Sequence, residues 1–502
     1  MRRTPLSLLA HWAGAELHGE DAAVDAVSND SRTLMPGSLY VALRGERFDG
    51  HDFAAEAVRS GAIALLVDHP LDLPVPQLVA ADTLAALARL AHGVQQGRAA
   101  TVVALTGSNG KTTVKSLLLE ILRRHGRTYA NPGNRNNEVG LPLAVIEADE
   151  DAQFAIYEMG AGKPGDIEYL TDIVRPDVAL VNNVAAAHLE RLGTLLGVAQ
   201  TKGAVYRALP AHGVAVVNAD DAFAEFFIAQ VPGRSVIRFG LDADVDVGAR
   251  AIAAGAQGSR FILATLQGEV EVELALPGRH NLRNALAAAA LAMGCGVPLA
   301  TIAAGLAAAR PVAGRQTTHA LAGGAALVDD SYNANPGSLA AAIDTLGAGK
   351  GEAWLVLGDM RELGADAPAL HAAAGRHARQ AGIARLYALG ELAAQAAAAF
   401  GEGGRVFGTH AELAEALRGD LVGVGIRGPG PGAREKRDQE QGGVDRNSAA
   451  VAVDLASSRV PGPGSRVPTI LIKGSRGSAM DRVVRALLDG QDKAQEDTAH
   501  AA

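Results

Sequence analysis

The octet Thr106-Gly107-Ser108-Asn109-Gly110-Lys111-Thr112-Thr113 carries the residue types that hold a polyphosphate. Its two glycines let the backbone curl so that N–H groups point inward, Lys111 supplies a point charge for terminal phosphates, and the Thr112 hydroxyl is a hard oxygen ligand for magnesium. The octet joins the apolar run Val102 to Leu105, suited to a buried parallel strand, to Val114, Leu117, Leu118, Ile121 and Leu122, which recur on one helical face. That helix would present its positive end to the same point. The general phosphate-loop pattern asks for one more glycine where this chain has Leu105, so the loop is a shorter variant. A nucleoside triphosphate with magnesium is the expected occupant.

Four further polar stretches end proposed strands, where ligands of open α/β sheets collect. Glu158 closes the apolar run of 154-FAIYEMGAG-162 beside glycines, where a carboxylate could bind magnesium; a solvated strand-end glutamate is the alternative. His188 follows the strand in 178-VALVNNVAAAHLERLG-193, with Lys202 shortly downstream. Alone, such a histidine is more often a satisfied hydrogen-bonding residue than a ligand. Asn281 and Asn284 open a helix in 277-PGRHNLRNALAAAA-290, placed either to cap it or to hydrogen-bond a base. Finally, Asp330 and Asn333 lie in 329-DDSYNANPGS-338, between a strand and a helix starting at Pro336, with Arg315 upstream.

The elements that must position these groups alternate between strand and helix signals, which makes the chain an α/β protein. Three domains are expected: a small N-terminal α/β domain over 1–85, a central parallel-sheet ATPase-like domain over 86–311, and a C-terminal Rossmann-like domain over 312–502. Central strands are expected at 101–106, 154–159, 178–184 and 213–217, with a hairpin over 261–278 before helices resume at His280. The last domain is expected to hold strands at 325–330, 353–358, 385–389, 405–407 and 469–473. Within it, 423–468 is rich in Gly, Pro, Arg and Gln without periodicity, including the near copies 427-RGPGPGAR-434 and 459-RVPGPGSR-466, and reads as a low-complexity insertion.

A net charge of -9 over 502 residues argues against an extended nucleic-acid surface. The lone cysteine, Cys295, excludes an intrachain disulfide and fits a reducing, cytoplasmic setting. No apolar run reaches the length of a membrane span. The opening MRRTPLSLLAHWAGAELHGE is broken by His11, Trp12 and Glu16 and reads as an amphipathic helix rather than a signal peptide.

Taken together, TGSNGKTT, YEMGAG, the Asn183 to His188 segment, Lys202, GRHNLRNA and the Arg315 to Asp330 region resemble the ATP-dependent Mur ligases in order and approximate spacing. Those enzymes join amino acids to the nucleotide-linked precursor of bacterial peptidoglycan. The stretches 329-DDSYNANPGS-338 and 355-LVLGDMRELG-364 look like the branch that adds D-alanyl-D-alanine to UDP-N-acetylmuramoyl-tripeptide. A sibling branch adding the third residue shares an N-terminal segment like 30-DSRTLMPGSLYVALRGERFDGHDF-53, but it typically carries an Asn-Pro-Arg sequence that this chain lacks. The resemblance implies that ATP binds Thr106 to Thr113, that Lys111 acts on the phosphates, and that Thr112, Glu158 and His188 hold magnesium. It further implies a carbamylated Lys202, adenine beside Asn281 and Asn284, and Arg315 and Asp330 brought to the nucleotide from the last domain. Ser31, Arg32 and Asp49 would receive the uridine diphosphate end of the precursor; Asn134, Asn136, Asn137 and Asn333 would complete the substrate cleft. A cytoplasmic monomer without nucleic-acid partners is the expected state. The competing readings are another amide ligase of the superfamily, such as a folylpolyglutamate synthase relative, and an ATP-driven conformational switch.

Overall fold

The computed structural model describes residues 1–186, 189–255, 257–349, 351–425 and 467–489. They form two compact units: residues 1–311 with 362–364, and residues 312–361 with the described residues from 365 onward. His188 and most of the 423–468 segment therefore lie outside the described residues.

The first unit opens with α1 (Leu6–Ala13), which buries Leu6, Leu9, Ala10 and Ala13 and ends at Gly14 in the left-handed conformation. Burial at that spacing is the signature of an amphipathic helix on a core, as the opening stretch implied. A five-stranded sheet follows, made of β1 (Glu16–His18), β2 (Ala26–Ser28), β3 (Ser38–Val41), β4 (Ala64–Val67) and β5 (Gln77–Val79) in the order β1-β5-β4-β3-β2. Helix α2 (Thr83–Gln96), capped by the Asp82 carboxylate on the Ala85 N–H, links this sheet to the next. Its Leu87, Leu90 and Val94 share one apolar cluster with Leu39 and Leu66 of the small sheet and with Val102, Ala104 and Ala155 of the central one. The small sheet and the central sheet thus rest on a common core.

The central sheet has nine strands: β6 (Thr101–Thr106), β7 (Thr128–Ala130), β8 (Phe154–Glu158), β9 (Val178–Val181), β10 (Val214–Asn218), β11 (Ser235–Phe239), β12 (Val247–Gly255), β13 (Gly258–Thr265) and β14 (Gly268–Leu274). Their order is β14-β13-β12-β11-β10-β9-β6-β8-β7. Neighbours from β7 to β11 run parallel. The last three strands form an antiparallel meander. The expected hairpin over 261–278 is the outer part of that meander, and β7, β11 and β12 were not expected. The alanine-rich, largely exposed β12 lacks the β-branched alternation that marks a strand, so only its ladder to β13 reveals it.

Strand β6 lies between β8 and β9, which the chain reaches on opposite sides of it. The C-terminal end of β6 is therefore a topological switch point, the place where open α/β sheets bind ligands. On one face pack α3 (Lys111–Leu122), through Val114, Leu117, Leu118, Ile121 and Leu122, and α5 (Arg279–Gly294), whose run Ala285 to Ala292 is wholly buried. Side chains this small let α5 lie close to the sheet. Helix α4 (Leu195–Arg207) packs on the other face and carries Lys202.

The second unit is a six-stranded sheet of β15 (Thr317–Ala320), β16 (Ala326–Asp330), β17 (Ala353–Gly358), β18 (Arg385–Leu389), β19 (Gly404–Phe407) and β20 (Thr469–Lys473), in the order β15-β16-β20-β17-β18-β19. Only the β15 pairing is antiparallel. Helix α6 (Pro336–Gly347) starts on a capping box between Asn335 and Ser338. No helix among the described residues is long and apolar enough to cross a membrane.

Candidate active site

The glycine loop leaves β6 at Thr106, whose hydroxyl donates to the Met159 carbonyl at 2.9 Å and so ties the ends of β6 and β8 together. Gly107 has φ 151° and Gly110 has φ 79°, the second firmly in the left-handed region that glycine alone adopts cheaply. Gly110 is also the N-cap of α3. The loop is braced from β9: Asn183 accepts the Asn109 N–H through Oδ1 at 2.8 Å and donates to the Asn109 carbonyl at 3.1 Å. Ser108 exchanges hydrogen bonds with Ala185. Lys111 folds back over the loop and donates to the Gly107 carbonyl at 2.8 Å.

Glu158, at the end of β8, is buried yet surrounded by donors. Its Oε2 accepts from the Thr112 hydroxyl at 2.9 Å and lies 3.2 Å from the Lys115 ammonium, while Oε1 accepts from Asn136 at 3.0 Å. Asn131 clamps the Glu158 backbone in both directions. Lys115, also buried, donates to the carbonyls of Asn131 and Gly133. Thus the 131–137 loop serves the site chiefly through Asn131 and Asn136; Asn137 instead accepts the Gly140 N–H. The residues sequence reasoning missed here are Lys115 and Asn131. Lys115 carried a usable signal, since it stands one helical turn after Lys111 and so shares its face.

Lys202 is fully enclosed on α4 and has no ion-pair partner within 4 Å among the described residues. Burial, then the like charge of Lys111, lowers its pKa to about 7, while the Asp166 carboxylate pulls the other way. At neutral pH much of this amine is uncharged. The N-cap of α5 is Gly278, without a side-chain cap bond; instead, Asn281 donates to the Pro277 carbonyl at 2.7 Å, and Asn284 Oδ1 accepts from Asn182 at 3.1 Å.

In the small sheet, Ser31 is buried and Arg32 is exposed, its guanidinium forked onto Asp30. Asp49 accepts from the His51 backbone and ring and pairs with Arg44. His51, Asp68 and His69 cluster at metal-ligand distances, but their atoms are already engaged. His51 Nε2 accepts the Asp68 N–H at 3.1 Å, and Arg44 holds Asp68 Oδ2 at 2.6 Å. In the second unit, Asp330 is buried against the Lys473 ammonium at 2.5 Å, and Lys473 also donates to the Asn333 carbonyl at 3.0 Å. Burial pushes the Asp330 carboxyl up while Lys473 pulls it down. The Arg315 guanidinium stacks on the Tyr332 ring, 4.3 Å from its centroid.

A curled glycine loop at a switch point, opening a helix, beside a buried carboxylate and an enclosed low-pKa lysine, defines a nucleotide-dependent α/β enzyme. Three family models match successive parts of the chain: residues 23–93 match the Mur ligase family catalytic domain, 105–292 the Mur ligase middle domain and 314–424 the Mur ligase glutamate ligase domain. The chain is 41% identical over 483 residues to the UDP-N-acetylmuramoyl-tripeptide–D-alanyl-D-alanine ligase of Escherichia coli (strain K12), covering 96% of this chain and 98% of that protein. Its fold superposes on MurF from Acinetobacter baumannii with a TM-score of 0.85 at 31% identity, covering 97% of this chain and 100% of that one. MurF from Thermotoga maritima in complex with ADP gives a TM-score of 0.75 at 25% identity, over 93% and 98% of the two chains. This chain belongs to the Mur ligase family.

Gly110 offers a direct test of the loop. A Cβ there would stand 2.4 Å from Asn284 Oδ1 and 2.6 Å from Asn182 Nδ2, on a backbone at φ 79°. Gly110→Ala is therefore expected to weaken ATP binding at least about tenfold, because left-handed strain alone costs roughly 1–2 kcal/mol and the clash adds to it. Titration calorimetry with ATP and magnesium measures it.

Proposed function

We propose that this chain is the ATP-dependent ligase that adds D-alanyl-D-alanine to UDP-N-acetylmuramoyl-tripeptide, acting in the cytoplasm as a monomer. The observation that carries the chemistry is the hydrogen bond from Thr112 to Glu158 at the start of α3, with Lys111 folded over the glycine loop and Lys202 near enough to Lys111 to feel its charge. The likeness to the Escherichia coli ligase, which runs through the whole chain, supports the choice of substrates.

In this reaction the terminal carboxylate of the tripeptide attacks the γ-phosphorus of ATP, ADP leaves, and the acyl phosphate is then attacked by the dipeptide amine with loss of phosphate. Lys111 swings from the Gly107 carbonyl to the phosphates, where its charge opposes the developing negative charge. The start of α3, capped only by a glycine, points its N–H groups at the same place. The hydroxyl of Thr112 and the carboxylate of Glu158 are hard oxygen donors side by side, a set that fits magnesium, with His188 as a further ligand. When bound, magnesium supplies charge neutralisation on the phosphates. The neutral amine of Lys202 adds to carbon dioxide, forming an N–C bond and releasing a proton, which gives an anionic carbamate in place of a cation. A pKa near 7 makes the amine competent for that step at neutral pH.

Asn281 and Asn284 face the adenine. Arg315 and Asp330, the latter paired with Lys473, serve the nucleotide, and Asn333 serves the precursor. Ser31, Arg32 and Asp49 take the uridine diphosphate end, to which arginine and loop donors are suited.

The test is phosphate release from ATP and magnesium with UDP-N-acetylmuramoyl-tripeptide, with and without D-alanyl-D-alanine, followed by the mass of the product. Release that needs both substrates and yields the pentapeptide precursor is expected. Release that needs neither, with no coupled product, would favour an ATP-driven switch instead.

A further inference from the structure

Asn182 follows β9 and is 1% exposed, and it belongs to none of the groups so far given a chemical role. Its backbone is fixed twice: its N–H donates to the Thr106 carbonyl at 2.8 Å, and its own carbonyl accepts from Asn218 at 2.9 Å. Its side-chain amide donates in two directions, to the Asn109 carbonyl of the glycine loop at 2.9 Å and to Asn284 Oδ1 at 3.1 Å. From there the chain of amides continues: Asn284 Nδ2 faces Asn281 Oδ1 at 3.4 Å, and Asn281 donates to the Pro277 carbonyl at 2.7 Å.

Both ends of this chain are backbone carbonyls, which can only accept. That settles the orientation of every amide between them without sight of a hydrogen atom. It also leaves Asn182 Oδ1 buried with no hydrogen-bond partner among the described residues. A buried acceptor left unmatched so that two donors can be aimed is poor design for stability alone. Gly110 closes the arrangement, since only a hydrogen fits in its place beside Asn182 Nδ2 and Asn284 Oδ1.

We infer that Asn182 is a positioning residue that couples recognition of the base to recognition of the phosphates, by fixing Asn284 against the glycine loop. The inference rests on the ATP-binding reading of this site. Asn182 need not touch the nucleotide; it sets the distance between two parts that do. An asparagine is required, because the two acceptors need an N–H₂ group, which aspartate of the same shape lacks.

Calorimetric affinities for ATP and GTP and steady-state constants for the full chain test this, using N182A, N182D, N284A and N182A/N284A. N182A is expected to raise the KM for ATP about tenfold with kcat within about threefold, and to narrow the preference for ATP over GTP, leaving the KM for the uridine-linked precursor unchanged. N182D, which turns an oxygen toward two acceptors, is expected to be worse than N182A. The double variant is expected to bind ATP no more than about twofold worse than N284A alone, because the two residues act as one unit. Additive losses, N182D equal to wild type, or a lowered melting temperature with unchanged ATP constants would overturn the inference. If N182A does not fold, N182S, which keeps one donor, is expected to show a smaller version of the same KM shift, and an unchanged KM there would also overturn it. The wild-type protein separates the two claims: ATP binding without dipeptide-dependent phosphate release would defeat the ligase reading while leaving Asn182 testable by affinity.

Discussion

Replacing Lys202 by methionine is expected to remove the ligase activity while raising the melting temperature. An ammonium enclosed on α4 with no ion-pair partner among the described residues loses its hydration and is repelled by Lys111, and together these hold its pKa at about 7 against a usual 10.5. Methionine has nearly the same length and no charge. Removing a poorly compensated buried charge in favour of an apolar side chain is worth roughly 1–4 kcal/mol. The pH dependence carries a sign. Below about pH 7 the lysine is protonated in both folded and unfolded chains, so the wild type bears the whole penalty. Between about 7 and 10.5 only the unfolded chain holds the proton, so wild-type stability climbs with pH. The advantage of K202M should therefore be greatest below pH 7 and fade across that window, as thermal unfolding in bicarbonate-free buffer would show. Activity should fall by on the order of a thousandfold, the lower end of what one charged side chain such as an arginine finger contributes to phosphoryl transfer. A variant that is both inactive and less stable at every pH would mean that Lys202 is a packing residue.

The contrast between Glu158 and Lys473 shows what the sequence could disclose. The glycine loop is legible because its glycines, lysine and threonine are neighbours in the chain and their chemistry is local. Glu158 is legible as a polar residue closing an apolar run, whereas Lys202, inside 200-QTKGAVY-206, takes its role only from the family resemblance. Lys473 ends a strand as Glu158 does, yet its meaning lies in Asp330, 143 residues earlier, and in the sheet order that puts β20 beside β16. No local pattern contains that pairing. Asp330 itself was expected to reach a nucleotide, and the fold adds the pairing of its carboxylate with Lys473, which no sequence pattern near Asp330 announces. Asn182 was passed over for a related reason: a polar residue after four apolar ones reads as the start of a loop. Its bonds to Asn109 and Asn284 span 73 and 102 residues. The α/β class was readable because helical and strand periods alternate, whereas β11 and β12 depend on ladder partners rather than on their own composition.

Glu158→Gln should have the second large effect, and on two properties that a further substitution can separate. The carboxylate is 2% exposed and, among the described residues, faces the Thr112 hydroxyl, the Asn136 amide and the Lys115 ammonium. Glutamine keeps one oxygen but turns an N–H₂ group toward one side of that set, and it leaves the buried Lys115 with only the carbonyls of Asn131 and Gly133. Breaking a buried pair from one side costs about 3–5 kcal/mol, most of it the cation left behind. If Glu158 holds magnesium beside Thr112 as proposed, the same change removes an anionic oxygen ligand, and kcat/KM should drop on the order of a thousandfold. Stability loss alone could mimic that drop. Adding Lys115→Met removes the stranded cation, so E158Q/K115M should recover most of the melting temperature lost by E158Q. It should recover none of the activity if the carboxylate serves the metal and the phosphates. Recovery of both would show that Glu158 acts only by holding Lys115, and the magnesium role would then have to be carried by other residues of the site.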